Sequence, residues 1–357
     1  MLAAPSSVNI QHRRRKSSIP LIEGNNCLGR NWTEREWRER DAEIADSITC
    51  ASSEPAAWRL LTHGARGILR NYSTSFFLVT RFLPPIKRAE VEVVYAAVRY
   101  PDEIVDTFPL PAAERHKRIL HWREDYSNAL AQRDWRKSVA TGTPVWVAGF
   151  AEVVRRAAIR PEYYQSFLDA MDADATPRVY ETLDDLIDNY IYGSAIVVGY
   201  FLAHIYGASS PEAWERTMAS SRNLGIALQL TNFLRDVAED ERRGRVYLPQ
   251  DLLRAEGISQ INCADPGQAQ PLRRVLQHLA DVAESYYRLS EADLDAFAPD
   301  CRSAIQACIR VYGKLNERIS LSPKGIMHRE SVPMAEKLAA LPPSRYWKVP
   351  LALLGGI

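Results

Sequence analysis

The sequence predicts an all-α protein, a single large helical bundle, and three observations support that fold class. From about Ala56 onward, apolar residues recur at helical spacing, while the period-2 alternation of strands is nowhere sustained. Proline falls in the first turn of several candidate helices, where its missing amide costs nothing. With 357 residues, 46% hydrophobic and 25% charged, the chain has a globular composition and enough length to bury one large core.

Nine helices are predicted in chain order. They cover residues 56–70, 87–106, 112–132, 144–159, 161–171, 183–206, 211–243, 272–297 and 301–319. Pro84 and Pro85 separate the first two helices, because proline cannot donate a backbone hydrogen bond. The fourth, fifth and seventh helices each have proline at their start, and Gly244 followed by Pro249 ends the longest one.

Charge and cysteine content exclude several classes of protein. Lys and Arg total 45 against 44 for Asp and Glu, so no global basic field attracts nucleic acid and no such partner is predicted. The five cysteines include no CxxC pair, which indicates a reduced, cytoplasmic protein. The uncharged, apolar stretch over residues 190–206 is shorter than the roughly 20 residues of a membrane span and predicts a buried helix.

Three segments are expected: an N-terminal extension over residues 1–55, a helical domain over 56–345 and an apolar C-terminal tail over 346–357. The extension has its first acid at Glu23, and we expect it to be poorly ordered, with Trp32 and Trp37 packing it onto the bundle. Its basic, Ser-containing start fits either a transit peptide, which would direct plastid import, or a bacterial tail. The C-terminal tail is too short to span a bilayer, which leaves peripheral membrane contact as the expectation.

The first of two acidic clusters contains Asp102 and Asp106, which lie one helical turn apart and share a face. The positions four before and four after Asp106 are Asp102 and Leu110, so we expect no cation on this helix to relieve the like-charge pair. Solvated surface carboxylates would tolerate this, so the pair alone is also compatible with an exposed helix face.

The second cluster contains Gln229, Asn232, Asp236 and Asp240, at intervals of three, four and four. At about 100° per residue, these side chains fit within an arc of roughly 80°. The first half of this helix is otherwise apolar, and buried carboxylates need a cation or strong donors nearby. A satisfied polar seam would meet that need as well as a metal ion would.

Oxygen ligands of this kind favour magnesium, which binds protein through one or two carboxylates and completes its shell with waters and substrate phosphates. Two such stripes facing each other across a bundle would hold a diphosphate through bridging metal ions. Among the flanking cations, Arg99 and Arg245 are the first candidates for contact with that diphosphate. Arg243 also forms a helical surface pair with Glu239, so it has a purely structural alternative.

These stretches resemble the squalene and phytoene synthase family of head-to-head trans-isoprenyl diphosphate synthases, and its phytoene synthase type most of all. Residues 229–240 with 243–249 are similar to the family signature QLTNxLRDVxED...RGRxYLP. Residues 95–106 resemble its first aspartate-rich motif, and residues 73–76 resemble its SxSF flap. The likeness extends over about residues 56–341 and includes a C-terminal arginine segment around Arg329.

The resemblance implies the isoprenoid synthase fold with a central cavity, and it implies roles residue by residue. Catalytic roles fall to Tyr95, Arg99, Tyr190 and Tyr247. Contacts with substrate diphosphates fall to Ser73, Arg99, Gln229, Arg245 and Arg329. Metal ligation falls to Asp102, Asp106, Asn232, Asp236 and Asp240.

The sequence departs from the family pattern at four places. Glu103 stands where the family usually has aspartate, and Thr74 stands where many members have lysine, which removes one cation from the flap. Pro101 immediately precedes the first motif and could reshape the helix there. Residues 193–196 read GSAI where the family usually has VAG, which leaves chain length and product open.

The implied activity is head-to-head condensation of two prenyl diphosphates with release of pyrophosphate, using Mg²⁺ or alternatively Mn²⁺. In the phytoene type, geranylgeranyl diphosphate gives phytoene through a cyclopropylcarbinyl diphosphate and proton loss. One alternative is a squalene, dehydrosqualene or presqualene diphosphate synthase acting on farnesyl diphosphate, with NADPH used only by the squalene type. A second alternative is a non-catalytic member that serves as an assembly or binding protein. The oligomeric state is not predicted.

Overall fold

The computed structural model describes residues 31–176 and 178–340, and over these ranges it is helical without β-strands. The α-helices are α1 (Glu34–Thr49), α2 (Glu54–Tyr72), α3 (Thr74–Thr80), α4 (Pro85–Asp106), α5 (Ala112–Ala131), α6 (Trp135–Ala140), α7 (Val145–Arg156), α8 (Pro161–Ala173), α9 (Leu183–Leu186), α10 (Val197–Tyr206), α11 (Trp214–Arg242), α12 (Gln250–Ala255), α13 (Ala269–Ala292), α14 (Arg302–Leu321) and α15 (Met334–Ala339). A π-helix, Ile187–Ile196, joins α9 to α10. The prediction of an all-α fold is confirmed.

Each predicted helix is present, with ends shifted by a few residues, whereas α1, α3, α6, α12 and α15 were not predicted. Four of these have only six or seven residues, which is too short for helical periodicity to be visible. The fifth, α1, was overlooked because its sequence is mostly charged and it buries only Trp37 and Ile48.

Helix α1 is fixed to the bundle even though it belongs to the expected extension. It begins with a capping box, in which the Thr33 hydroxyl accepts from the Glu36 amide and the Glu36 carboxylate accepts from the Thr33 amide. Trp37 is only 1% exposed, and Trp32 is also buried, so the prediction that both tryptophans pack onto the bundle is confirmed. The described part of the extension thus contains a packed helix, and the expectation of poor order in the extension stays a prediction. Residues 1–30 and the tail over 346–357 lie outside the described residues.

The π-helix packs unusually close to its neighbours because it carries small residues. A Cβ atom on Gly193 would lie 2.5 Å from the carbonyl oxygen of Ser166 on α8. A Cβ on Gly199, in α10, would lie 2.7 Å from the carbonyl oxygen of Ser221 on α11. Glycine is thus required for these close backbone approaches, which bring the π-helix between α8 and α11.

The stretch Leu183–Tyr206 is long and apolar enough to cross a membrane, and half of its most apolar window is buried inside the protein. The buried residues include Tyr190, Ile191, Ile196 and Phe201. This burial agrees with the prediction of a core helix in this part of the chain.

Two hydrophobic clusters support the fold. The larger one holds the bundle around α4, α7 and α8 and includes the fully buried rings of Trp146, Phe150 and Tyr164. The smaller one packs α12 against α13 and includes Leu253 and Leu272. The cavity described below lies beside the larger cluster, between α4 and α11.

Candidate active site

A cavity of about 770 Å³ lies between α4 and α11, with α8, α10, α14 and the π-helix as its other walls. Along both α4 and α11, apolar lining residues precede acidic ones, so the charged groups gather at one end of the cavity. All the side chains predicted for the site line it, namely Ser73, Tyr95, Arg99, Asp102, Asp106, Tyr190, Gln229, Asn232, Asp236, Asp240, Arg245, Tyr247 and Arg329. The fold thus brings together residues that are up to 256 positions apart (329 − 73) in the sequence.

The first acidic motif forms the last turn of α4, which continues through Pro101 to Asp106. The expectation that no cation on this helix relieves the pair is wrong, because Arg99, three residues earlier, pairs with Asp102 at 2.7 Å. Arg99 also bonds Glu103, whose carboxylate is fully buried and does not line the cavity. The unusual glutamate in this motif therefore positions Arg99 and does not face the site.

The second acidic motif lies at the end of α11, where Asp236 is held by two arginines. Arg235 donates to both carboxylate oxygens of Asp236, at 2.9 and 2.6 Å, and Arg329 donates to it at 2.7 Å. Asp240, one turn later, has no such partner among the described contacts. Arg329 joins this motif from a distant part of the chain, 93 residues further on.

The two motifs face each other, and Arg245 connects them, because its backbone amide donates to the Asp240 carbonyl oxygen at 2.9 Å while its side chain reaches the first motif. Its guanidinium pairs with the Asp106 carboxylate and also donates to the backbone oxygens of Val105 and Asp174. Arg243 lies 3.3 Å from Asp106 as well as 2.7 Å from Glu239, so it is part of the site in addition to its surface pair. The segment after α11 thus folds back onto the end of α4.

The carboxylates at this end of the cavity differ in their pKa values. Burial and the neighbouring Asp106 raise the pKa of Asp102 to about 7, against the lowering effect of Arg99. Burial, Asp236 and Asp106 likewise raise the pKa of Asp240 to about 7. The two arginines hold the pKa of Asp236 below its usual value even though burial opposes them. The pKa of Asp102 stays raised despite its pair with Arg99, and no guanidinium pairs with Asp240 among the described contacts, so both carboxylates would gain from an added positive charge.

The donor set fits a divalent ion of the magnesium type, because it offers carboxylate and amide oxygens and no sulfur or imidazole. Within the described residues, no three His, Cys, Asp or Glu side chains stand close enough to hold one ion. Two of the carboxylates are engaged by arginines: Asp106 pairs with Arg245, and Asp236 pairs with Arg235 and Arg329.

Aromatic rings form one wall next to the charged end. The rings of Phe233 and Tyr247 stack at 4.4 Å, and the ring of Tyr190 lies 4.9 Å from that of Tyr247. Both tyrosine hydroxyls donate to Asp174, at 2.5 Å from Tyr190 and 2.7 Å from Tyr247. Ring faces in this position can stabilise a cation held in the cavity.

The flap residues of α3 border the cavity from the opposite side. The Ser73 hydroxyl accepts from the amide of Phe76 and so caps α3. The next hydroxyl, that of Thr74, accepts a hydrogen bond from the Lys337 ammonium at 3.0 Å. Thr74 and Lys337 both line the cavity. The ammonium of Lys337, on α15, therefore lies beside Thr74, the flap position at which many family members have lysine.

The other end of the cavity is apolar and is suited to hydrocarbon chains. It is lined by aliphatic side chains of α10, α11 and α14, including Val198, Leu202, Leu228, Ile305 and Val311. The combination of a charged end and an apolar end fits a ligand with an anionic head and a long lipid-like tail.

Several lining residues with polar groups were not predicted from the sequence, among them Asp174, Tyr312 and Lys337, and Thr74 as a lysine partner. Asp174 gave a weak signal, as an acid within residues 170–180, a stretch that resembles the family's central helices. Lys337 and Tyr312 gave none, because single residues at ordinary helical positions carry no pattern.

Comparisons with known proteins agree with this geometry. Residues 69–336 match the family model described as squalene/phytoene synthase. A 15-cis-phytoene synthase of Enterobacter agglomerans is 31% identical over 279 residues, which is 75% of this chain and 90% of the relative. A phytoene synthase of Arthrospira platensis is 27% identical over 287 residues, 78% of this chain and 90% of that protein.

Solved structures resemble the fold as a whole. A dehydrosqualene synthase in complex with ligand has a TM-score of 0.67 at 22% identity, with 84% of this chain and 98% of that chain covered. The squalene synthase HpnC of Alicyclobacillus acidocaldarius has a TM-score of 0.60 at 20% identity, with 77% and 97% covered. At these identities the likeness shows a shared fold.

Proposed function

Because the chain belongs to the squalene/phytoene synthase family, we propose that it condenses two molecules of geranylgeranyl diphosphate to phytoene in a Mg²⁺-dependent reaction. The general activity follows from membership of the family: the protein is a prenyltransferase that joins prenyl diphosphates head to head. The single observation that carries the proposal is that Asp102 and Asp106 face Asp236 and Asp240 across one cavity. The names of the similar phytoene synthases favour the C20 substrate.

The carboxylates of both motifs, helped by Asn232, would hold the metal ions, and Gln229 lies beside them. Magnesium supplies charge for the leaving pyrophosphate when it is bound. Arg99, Arg245 and Arg329 would bind the diphosphate oxygens, since each already lies against a motif carboxylate that the metal would engage. Ser73, at the edge of the flap, would donate its hydroxyl to the same oxygens.

Ionisation of an allylic diphosphate leaves a delocalised carbocation, and the cavity must stabilise it without capturing it. The faces of Tyr95, Tyr190 and Tyr247 would stabilise the cation, each by roughly 0.5–2 kcal/mol in a dry site. Tyr190 is buried and Tyr95 is partly buried, and burial raises the pKa of both phenols above the usual value. The apolar walls exclude water, which would otherwise trap the cation as an alcohol.

By analogy with the family, the first condensation gives a cyclopropylcarbinyl diphosphate, which ionises again, rearranges and loses a proton. Loss of a proton gives an alkene without a reductant, so NADPH is not part of the proposal. A squalene-type enzyme would need hydride from NADPH at this step. With farnesyl diphosphate as the substrate, presqualene diphosphate would accumulate if the second ionisation did not occur.

The test is a product assay with the purified full-length protein and either geranylgeranyl or farnesyl diphosphate, with and without Mg²⁺ and NADPH. Phytoene from the C20 substrate, dependent on Mg²⁺ or Mn²⁺ and indifferent to NADPH, is the expected result. Turnover of the C15 substrate alone would show a squalene-type or dehydrosqualene-type enzyme instead. Absence of pyrophosphate release with both substrates would favour a non-catalytic binding or assembly role.

The proposal extends to organisation and location. We propose that residues 56–345 form the catalytic domain, to which α1 adds a packed helix. An apolar product and the apolar stretch over 346–357 favour peripheral contact of a cytoplasmic protein with a membrane surface. Fusion of residues 1–55 to a fluorescent protein would test plastid import.

A further inference from the structure

Asp174 lies at the inner side of the aromatic wall, although no sequence motif pointed to it. Its side chain lines the cavity and is almost fully buried, with 7% of the residue exposed. Tyr190 donates to one carboxylate oxygen at 2.5 Å, and Tyr247 donates to the other at 2.7 Å. The two hydroxyls lie 3.3 Å apart, so the three groups form one connected network.

No guanidinium or ammonium donates to this carboxylate among the described contacts. Arg245 is near, but its hydrogen bond goes to the backbone oxygen of Asp174, while its ion pair is with Asp106. Burial raises the pKa of Asp174 to about 6, against the lowering effects of Arg245 and the two tyrosines. A buried carboxylate that is held by neutral donors alone remains basic enough to accept a proton.

The position of Tyr190 gives this carboxylate access to the substrate chain. Tyr190 belongs to the π-helix, and its neighbours Ser194, Ala195 and Val198 line the apolar part of the cavity. Tyr190 itself lines the cavity, and its hydroxyl donates to the Asp174 carboxylate. A proton taken up at this hydroxyl can pass inward while the tyrosine stays neutral.

We propose that Asp174 accepts the proton that the substrate cation loses in the last step of the reaction, and that it acts through the hydroxyl of Tyr190. This inference rests on the proposed function and deepens it by naming the group that ends the reaction. A C–H bond next to the cationic carbon breaks, and its electron pair forms the new C=C bond. The proton bonds to the Tyr190 oxygen while the proton of Tyr190 passes to the carboxylate oxygen of Asp174. The products are a neutral alkene and a neutral carboxylic acid, which then returns its proton to the departing pyrophosphate.

Asp174 acts through another residue, so it is a positioning and proton-accepting group that does not touch the substrate. The readout must therefore separate proton loss from ionisation. The full-length Asp174→Asn variant is incubated with geranylgeranyl diphosphate and Mg²⁺. Released pyrophosphate is measured alongside the hydrocarbon and alcohol products, which are separated by mass spectrometry.

The expected result is that hydrocarbon formed per pyrophosphate released falls by about 100-fold, the lower end of what a positioned general base contributes. Alcohols from water capture of the cation should rise correspondingly. Tyr190→Phe should shift the ratio in the same direction, because it breaks the relay and leaves Asp174 in place. Asp172→Asn is the matched control: Asp172 bonds His116 at 2.6 Å, does not line the cavity, and its loss should leave the ratio unchanged.

An unchanged ratio in Asp174→Asn would overturn the inference, and so would a variant that releases no pyrophosphate at all, since ionisation would then be the step that needs Asp174. An unchanged ratio in Tyr190→Phe would remove the relay. These outcomes leave the proposed function intact as long as the wild-type protein makes hydrocarbon. If the wild-type protein itself releases no pyrophosphate, the proposed function and this inference both fail.

Discussion

The ammonium of Lys337 donates a hydrogen bond across 3.0 Å to the hydroxyl of Thr74, and this contact connects α15 to the first residue of α3. The two residues are 263 positions apart in the chain. Burial lowers the pKa of Lys337, and no charged partner opposes that effect. The neighbouring acid, Glu336, is engaged by Arg318 at 3.0 Å. The ammonium is therefore available to an anion in the cavity.

Lys337→Met should raise the KM for the prenyl diphosphate by about tenfold or more, because a hydrogen bond to a charged group contributes about 1.5–3 kcal/mol. Lys337→Arg should retain most of the affinity. The double variant Thr74→Lys with Lys337→Met should recover it, since the ammonium would then come from the flap. Lys324→Met, an exposed lysine outside the cavity, is the control. Equal KM values for Lys337→Met and wild type would remove Lys337 from the site.

Asp236→Ala should abolish pyrophosphate release and leave the fold intact. The loss should reach at least about 100-fold, since metal-assisted charge stabilisation contributes several kcal/mol. Pyrophosphate release and the melting temperature are measured together. The control is Glu215→Ala, an exposed acid in the first turn of the same helix. Undiminished turnover of Asp236→Ala would exclude Asp236 as a metal ligand.

Trp37→Phe tests whether α1 supports the site. The Trp37 indole and the Trp32 amide both donate to the Tyr72 hydroxyl, at 3.0 and 2.9 Å, and the Arg99 guanidinium lies 4.5 Å above the Tyr72 ring. Loss of the indole donor should lower the free energy of unfolding by about 1–3 kcal/mol and raise KM, because Tyr72 and Arg99 would shift.

The matched control for this variant is Trp58→Phe. Trp58 packs against Trp135 at 5.8 Å and does not line the cavity. The Trp58→Phe variant should be less stable than wild type, and its KM should be unchanged. If both variants lose stability but neither changes KM, α1 has only a structural role.

Asp41→Asn should change how stability depends on pH. Burial, with a contribution from Asp125, raises the pKa of Asp41 from 3.8 to about 7, against the lowering effect of the Val145 amide. The folded protein therefore holds a proton that the unfolded chain releases between about pH 4 and 7, and its stability falls as pH rises through that window.

Asparagine cannot ionise and keeps an oxygen for the Val145 amide, which donates to Asp41 at 2.9 Å. The melting temperature of Asp41→Asn, relative to that of wild type, should therefore increase as the pH rises from 5 to 8. Asp46→Asn, an exposed acid on the same helix, is the comparison. A constant difference between Asp41→Asn and wild type across this range would contradict the prediction.

A pair of glycine substitutions should have opposite effects. Gly193→Ala should destabilise the protein by about 1–3 kcal/mol, because its Cβ would clash with the Ser166 carbonyl oxygen. Gly67→Ala should stabilise it by about 0.5–1 kcal/mol, since Gly67 lies within α2 with nothing within 4 Å of the added carbon. Thermal unfolding measures both. Equal effects would show that the π-helix adjusts to the added methyl group.

Much of the site could be predicted because its residues repeat at helical spacing. Asp102 with Asp106, and Asn232 with Asp236 and Asp240, lie on single helix faces whatever surrounds them. Their common cavity was expected from the resemblance alone, since spacing says nothing about two helices more than a hundred residues apart. The prediction rested on the positions four residues before and after Asp106. It missed the cation for Asp102 because Arg99 lies three residues before Asp102.

The sequence by itself determined the all-α class, the long helices and the two acidic motifs, because helical periodicity is a property of neighbouring residues. Only the tertiary structure decided that Asp174 lies between Tyr190 and Tyr247, that Lys337 reaches Thr74, and that α1 packs onto α2. Each of these contacts joins residues that are distant in the chain, and the packing of whole helices against one another brings them together. Such packing depends on the summed burial of many side chains, so no local pattern encodes it.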